Sequence, residues 1–528
     1  MGDSCFEERS LSCADLRDVS PQDNLLRNDS SPFIHRFQTR RQKYVYDVNT
    51  RRIIRVSSIV WDILEDFGCL DEEQIIVKYS PSYSADEIRG AIGQIKLSRE
   101  KQELFLSFRP QMILPPKEEM IRNHLADRRE QLILNVTEDC NFRCSYCIFG
   151  GNYLRRRTYS AKAMCWDVAK AAIDEFISHS ALSEGRVISF YGGEPLLNLS
   201  LIRQCITYVR QSYENLRIQF SLTTNGYLLK GDIAEFLAAE GFLIVISLDG
   251  PQEIHDLNRR TKGGLPTWEL IISNIREFLV SYPEYRTNGK IRFTAVAPQT
   301  TDLRKVQSFF SSCDLFNDSM GLEISEVKQT DDQSQTFLPN DPLILSLKDL
   351  HKEFVQKLKS GQFQDEYNHK SGWVLSSVLQ KPFVIFHKRG YSLPRQRDKM
   401  PYLNTCIPGA RRTFVSTNGD YYACERVEES KEGVIGNVRE GINMARVMAL
   451  LEQWIQASQD QCRYCWCMPT CHVGCFATVS EDGKVTQKAK NKVCVDYRRS
   501  MDRFLVEYCD ILEENPKAFD YMVGMSLM

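Results

Sequence analysis

Three cysteines near residue 140 are spaced for iron. Glu138-Asp139-Cys140-Asn141-Phe142-Arg143-Cys144-Ser145-Tyr146-Cys147 sets them out as C-x3-C-x2-C. Three thiolates this close can hold three corners of a four-iron cubane and leave the last iron with an open position. An open iron is where a small molecule can bind and react. A second set lies towards the other end of the chain. Cys462, Cys465, Cys471 and Cys475 form C-x2-C-x5-C-x3-C, with Cys467 inside the run, Cys494 beyond it, and Cys406 and Cys424 before it. Structural zinc is the rival chemistry, but it takes four ligands, usually as two close pairs. No further Cys or His stands near the first set, so a cluster fits that spacing better. Cys5, Cys13, Cys69, Cys165, Cys205, Cys313 and Cys509 follow no pattern and read as ordinary thiols.

Composition narrows the setting. The chain has 528 residues, 42% of them hydrophobic, with a formal net charge of −2. That length suggests several domains, and so small a charge recruits neither nucleic acid nor an anionic membrane. The amino terminus lacks the basic-then-apolar order of a secretory signal, and no stretch is long and apolar enough to span a bilayer. A cytoplasmic protein is therefore expected, in which metal binding explains the 18 cysteines better than disulfides do.

The cysteines need a frame to position them. From residue 131, QLILNVT, RVISFYGG, RIQFSLTTNG, FLIVISLDG, IRFTAVAP and GLEISEV alternate with amphipathic helical stretches. Such alternation implies parallel pairing, here an α/β fold built on a partial (β/α)6 TIM barrel spanning 128–335. Barrel chemistry sits at the carboxyl ends of the strands, where Thr137 to Cys147, Gly192 to Pro195, Asn225 and Asp249 all fall. Residues 1–35 are expected to be disordered. Residues 36–110 read as a winged-helix domain: a hairpin of KYVYDV and RIIRV, three short helices, and a closing strand at ELFLSF. Asp71 with Gln74 and Ser84 with Glu87 are capping patterns for two of those helices. A bridging region covers 336–400, the cysteine-rich part 401–500, and a last helix 501–528.

In these motifs the chain resembles the radical S-adenosylmethionine (radical SAM) family. That family carries C-x3-C-x2-C with an aromatic before the last Cys, here Tyr146. The resemblance implies that Tyr146 contacts the adenine of the bound cofactor. It implies that Gly192, Gly193 and Glu194, in Tyr191-Gly192-Gly193-Glu194-Pro195, meet the cofactor's amino group. Ser247 and Asp249 would approach the ribose, although a turn and a cap explain them equally well. Arg259 would pair with the carboxylate, for which a guanidinium fork has the right geometry.

The second cysteine set resembles the SPASM extension, which holds two auxiliary clusters. By position, Cys462, Cys465, Cys471 and Cys494 would ligate the distal cluster, and Cys406, Cys424 and Cys475 the proximal one. Some members supply another proximal ligand six residues after the first Cys; here Arg412 stands there and cannot ligate. The proximal cluster then has an open iron or borrows Cys467, which is otherwise a spacer thiol. Glu425 stands where sulfatase-maturing relatives carry an acidic base; an exposed charge beside a loop is the plainer reading.

Taken together, the resemblance implies a radical SAM/SPASM peptide maturase with three 4Fe–4S clusters, one binding S-adenosylmethionine and two auxiliary. The segment 36–110 resembles a PqqD-like peptide-recognition element, in which the leader of a precursor peptide adds a strand to a sheet edge. Winged helices more often bind DNA, but the acidic DILEDFG and DEEQ would repel phosphate. A reducing partner such as flavodoxin or ferredoxin would deliver the electron that starts a 5′-deoxyadenosyl-radical reaction. A thioether crosslink is the expected product, because an open iron could hold a substrate thiolate. The alternatives are a carbon–carbon crosslinking maturase, a sulfatase-type maturase making formylglycine, and a non-catalytic iron–sulfur electron carrier or zinc scaffold.

Overall fold

Alternating side chains divide a small antiparallel sheet between two cores. In the computed structural model, which describes residues 30–150, 157–327, 338–390, 398–401, 405–481 and 483–523, this sheet comes first. Its strands are β1 (Ile34–Gln38), β2 (Lys43–Asp47) and β3 (Arg52–Val56), in that order. Successive residues on a strand face opposite ways. Ile34 and Val45 pack with Val60, Ile63, Ile75, Ile88 and Ile92 of helices α1 (Ser58–Ile63), α2 (Glu72–Tyr79) and α3 (Ala85–Gln102). Phe37 and Tyr46 instead join the main core of the chain. Both capping boxes form as the sequence implied, at Asp71 with Gln74 and at Ser84 with Glu87.

The sheet face turned to the body is well anchored. His35 stacks on Trp466 with ring centroids 3.8 Å apart and hydrogen-bonds Asp502 at 2.6 Å. The hydroxyls of Thr39 and Tyr44 donate to Glu513, and Arg51 donates to the Gly390 carbonyl at 2.6 Å.

Two expectations for this region fail. The closing strand at Glu103 to Phe108 does not form, because Glu103 and Phe105 take left-handed backbone with φ of 55° and 60°. Glu103 ends α3, and the Phe105 N–H turns inward to the buried Asp47 carboxylate at 2.6 Å. The third strand is β1 instead. It lies partly within the stretch expected to be disordered, and Phe33, Ile34 and Phe37 hold it by burial. Residues 1–29 lie outside the described residues.

The six expected barrel strands all form. β4 (Gln131–Thr137), β5 (Arg186–Gly192), β6 (Ile218–Thr224), β7 (Leu243–Ser247), β8 (Ile291–Ala297) and β9 (Leu322–Glu326) pair in parallel and in sequence order. Helices such as α4 (Trp166–Ser178), α5 (Leu199–Ser212) and α6 (Trp268–Ser281) return the chain between strands and bury their apolar faces. The result is a partial, barrel-like parallel sheet. Its β4 edge does not end there. β10 (Arg412–Val415) adds in parallel with Arg412 opposite Gln131, and β11 (Asp420–Tyr422) and β12 (Val434–Asn437) follow antiparallel. The cysteine-rich part is thus continuous with the barrel sheet.

The last helix starts earlier than expected. α7 runs Gln487–Glu514, so a boundary at 501 falls in mid-helix. Thr486 caps it by accepting from the Ala489 N–H at 3.2 Å, and no Gly or Pro interrupts the run before Pro516. Cys494 therefore sits on a helix that packs against both Pro342–Ser360 and Trp373–His387.

The stack and hydrogen bond at His35 should hold the amino-terminal sheet to the body. His35→Ala is expected to loosen that docking by about 2 kcal/mol. Hydrogen exchange would then rise at β1 and β2 but not at β5 or β6; unchanged protection at β1 would refute it.

Candidate functional site

The loop after β4 carries the first cysteine set and is stitched down on both sides. On one side the Gly193 N–H donates to the Thr137 carbonyl and the Glu194 N–H to the Asp139 carbonyl, both at 2.9 Å. On the other, the Arg143 N–H reaches the Arg260 carbonyl at 2.9 Å and the Lys262 N–H the Asn141 carbonyl at 2.7 Å. The Ser145 hydroxyl donates to Asn258 Oδ1 at 2.6 Å. This close approach explains both glycines. A Cβ at Gly193 would collide with the Asp139 carbonyl, and one at Gly192, where φ is +144°, with the Thr137 carbonyl.

Glu194 is buried, and its carboxylate is fully engaged. It accepts from the Thr224 hydroxyl at 2.8 Å, the Asn225 N–H at 2.8 Å and the Leu196 N–H at 3.2 Å. Burial pushes its pKa up to about 7. The side chain therefore ties β5 to β6, and the Gly192-Gly193 backbone is what lies against the cysteine loop. Asn225 completes the join, donating to Asn141 Oδ1 at 2.8 Å and lying 4.0 Å from Cys140 Sγ.

Cys140, Cys144 and Cys147 lie near enough to act on one another electrostatically, and burial pushes the Cys140 and Cys144 thiols up to about 12. Backbone N–H groups already face two of the sulfurs, Phe142 to Cys140 and Phe149 to Cys147, each at 3.4 Å. At Cys140 that donor works against burial by favouring the thiolate, which is also the form a metal takes. Among the described residues no trio of His, Cys, Asp or Glu is gathered around one ion-sized point. A four-iron cluster sets its thiolates further apart than a single ion does.

Three of the expected cofactor residues meet in one buried knot. The Tyr146 hydroxyl donates to Asp249 Oδ2, and Arg259 Nε lies 3.0 Å from Asp249 Oδ1. The Val296 N–H also donates to Asp249, at 3.0 Å. The Arg259 guanidinium sits 5.4 Å from the Tyr146 ring centre, and its charge bears on Cys144. Ser247 ends β7 opposite Thr294 and is half-buried. These four line the same end of the barrel as the cysteine loop.

The second set separates into two groups. Among Cys406, Cys424 and Cys475, the last bears on the thiols of the other two, and burial, followed by the Glu425 charge, pushes Cys424 up to about 11. A hydrogen bond from the Thr405 hydroxyl to the Gly474 carbonyl holds the first and last of these together. Glu425 is not an exposed charge. Its Oε1 pairs with Arg412 at 2.6 Å, while Oε2 is buried with no hydrogen-bond partner among the described residues. Its charge reaches Tyr191, which precedes the two glycines.

Cys462, Cys465, Cys471 and Cys494 line a single cavity, and Cys467 lines it with them. The notion that Cys467 serves the proximal group loses its footing here. A hydrogen bond from the Cys467 thiol, with Arg498 adding its charge, brings Cys465 down to about 6 in spite of burial. Sequence reasoning missed Glu138, which accepts from Ser160 at 2.5 Å and from Thr417 at 2.9 Å and so ties the cysteine loop to the β10–β11 turn. It also missed Lys490 and Arg498, although their spacing of four on either side of Cys494 was visible.

Known proteins share this arrangement in part. Residues 134–287 match the Radical SAM superfamily. They form a radical SAM fold. The chain is 37% identical over 143 residues to an uncharacterized protein of Methanocaldococcus jannaschii, covering 27% of this chain and 46% of that one. It is 29% identical over 186 residues to the cysteine-type anaerobic sulfatase-maturating enzyme of Clostridium perfringens, covering 35% and 48%. The chain thus spans about half the length of the curated relatives it matches. The solved structure of anSMEcpe with bound AdoMet aligns at a TM-score of 0.52 and 21% identity, over 75% of this chain and 100% of that one. That likeness is one of fold.

The pKa of Glu194 carries a stability prediction. An acid whose folded pKa lies near 7 rather than 4.5 binds its proton more tightly when folded, so stability is lost as pH rises through that window. The cluster-free chain should lose about 3 kcal/mol of unfolding free energy to this group across that rise. Urea titrations at several pH values should show this slope in wild type and its absence in Glu194→Gln.

Proposed function

We propose that the chain is a radical SAM enzyme that modifies a ribosomally made precursor peptide, forming a sulfur-to-carbon thioether crosslink. The observation that carries this reading is the continuity of one sheet. β4 leads into the first cysteine set, and β10, paired to the other edge of β4, leads to Cys424 and Glu425 beside Tyr191. The donor sets fit three four-iron clusters: one on Cys140, Cys144 and Cys147, and two auxiliary ones on the proximal and distal cysteines. With S-adenosylmethionine bound, the first cluster would supply radical hydrogen abstraction.

The chain's own residues do the rest. Tyr146, Asp249 and Arg259, with Ser247, would hold the cofactor, and the Gly192-Gly193 backbone would close the site beside the loop. Arg412 leaves the proximal group one ligand short, which supports an iron free to take a substrate thiolate. It also pairs with one oxygen of Glu425, so the other oxygen is available to accept the thiol proton. Forming the C–S bond removes two electrons and two protons from the peptide. Glu425 would take the thiol proton, while bound S-adenosylmethionine would supply the acceptor for one hydrogen atom and an auxiliary cluster the acceptor for the remaining electron. The precursor's leader would add along β3, which among the described residues pairs only with β2. A flavodoxin- or ferredoxin-type protein would supply the initiating electron. Among the described residues no helix is long and apolar enough to cross a membrane.

Formylglycine formation is the second reading, favoured by the sulfatase-maturating relative and by the unpartnered oxygen of Glu425. Product chemistry separates the two: a thioether consumes a peptide thiol without creating an aldehyde, whereas formylglycine reacts with hydrazides. After anaerobic reconstitution, wild type should hold about twelve irons per chain, and the Cys140/Cys144/Cys147→Ala variant about four fewer. That variant should leave a co-expressed precursor unmodified; a modified precursor would sink the mechanism. Glu425→Gln should keep its iron and slow crosslinking about a hundredfold in single-turnover assays.

A further inference from the structure

Helix α7 turns a cationic face into the distal cavity. Lys490, Cys494 and Arg498 follow one another at intervals of four, so they share one side of the helix. All three line the cavity with Cys462, Cys465, Cys467 and Cys471. Lys490 is only 2% exposed. Its ammonium lies 2.8 Å from Cys462 Sγ, 2.6 Å from Ser458 Oγ and 4.6 Å from the Trp454 ring centre. None of these partners is a carboxylate.

A buried ammonium with no carboxylate beside it is costly unless an anion offsets it. A four-iron cluster held by four thiolates is such an anion, and it gains one more negative charge on reduction. A fixed cation hydrogen-bonded to a ligating sulfur stabilises the more negative state and raises the potential. Arg498, beside Cys465, adds charge of the same sign from the same helix.

We propose that Lys490 is a positioning residue that acts through Cys462 to raise the reduction potential of the distal cluster. This makes the distal cluster the preferred resting place for the electron that leaves the substrate. The inference rests on the distal-cluster assignment made above.

The test is a redox titration of the reconstituted holoenzyme followed by electron paramagnetic resonance, with iron counted in every sample. Lys490→Met should lower the midpoint of one cluster by a tenfold or greater change in its reduction equilibrium, which is about 59 mV for one electron. Iron should stay at the wild-type level, and Lys490→Arg should titrate near wild type. Lys490→Gln, which keeps a donor without the charge, should fall between the Met variant and wild type. Full iron with an unmoved midpoint in Lys490→Met would overturn the proposal. Loss of about four irons in both the Met and Gln variants would overturn it too, making Lys490 an assembly residue. The underlying assignment fails separately, if a Cys462/Cys465/Cys471→Ala variant binds as much iron as wild type.

Discussion

Strand β4 is hydrogen-bonded along both edges, and the arrangement of the site depends on that. β5 on one side delivers the two glycines and Glu194, and β10 on the other delivers Arg412 and, one hairpin later, Cys424. Parallel ladders fix register residue by residue, and a slip of one would turn every side chain to the opposite face. The first cysteine loop and the proximal cysteines are therefore placed from a common strand. Glu138, one residue past the end of β4, reinforces this by bonding both to Ser160 on its own side and to Thr417 in the extension.

Around that strand, polar groups are buried in matched sets. Glu194 meets three donors, and Asp249 meets Tyr146, Arg259 and the Val296 amide. Each set is costly to bury and so fixes one arrangement where a purely apolar interface would tolerate several. Not every buried polar group is matched: Asn135, on β4 itself, has both side-chain polar atoms without a hydrogen-bond partner among the described residues. Glu425 Oε2 lacks a partner among the described residues, and Lys490 faces sulfur. Both lie at the cysteine groups, where chemistry would give such residues a use.

Much of this was legible in the sequence. The six barrel strands followed from apolar runs alternating with amphipathic helices, and the two capping boxes from single residues. The cysteine spacings identified the first loop and the distal cavity wall. What escaped was non-local or conformational. Left-handed backbone at Glu103 and Phe105 cannot be read from a β-prone run such as ELFLSF. The pairing of β10 with β4 joins segments far apart in the chain, and nothing in Arg412–Val415 names its partner. The start of α7 is masked in the sequence by Cys494, which reads as a cluster ligand closing the cysteine-rich part rather than as a residue in mid-helix. Cys467 read as a spacer, and only the cavity showed it beside Cys465.

Trp466 sits between Cys465 and Cys467 in sequence, and its ring lies under His35 of the amino-terminal sheet. Tyr46 meets the same indole edge-on. The residue that separates two sulfurs of the distal cavity is thus also the seat on which another domain rests. Order in the cavity and docking of the sheet draw on a shared free energy, so whatever stabilises one stabilises the other. If the distal cavity holds its proposed cluster, copies lacking that cluster would hold their amino-terminal sheet less firmly and open there more often. Proteases act on such opened states. On that proposal, the joint at Trp466 would let a cell tell loaded copies from empty ones by how firmly the sheet is held.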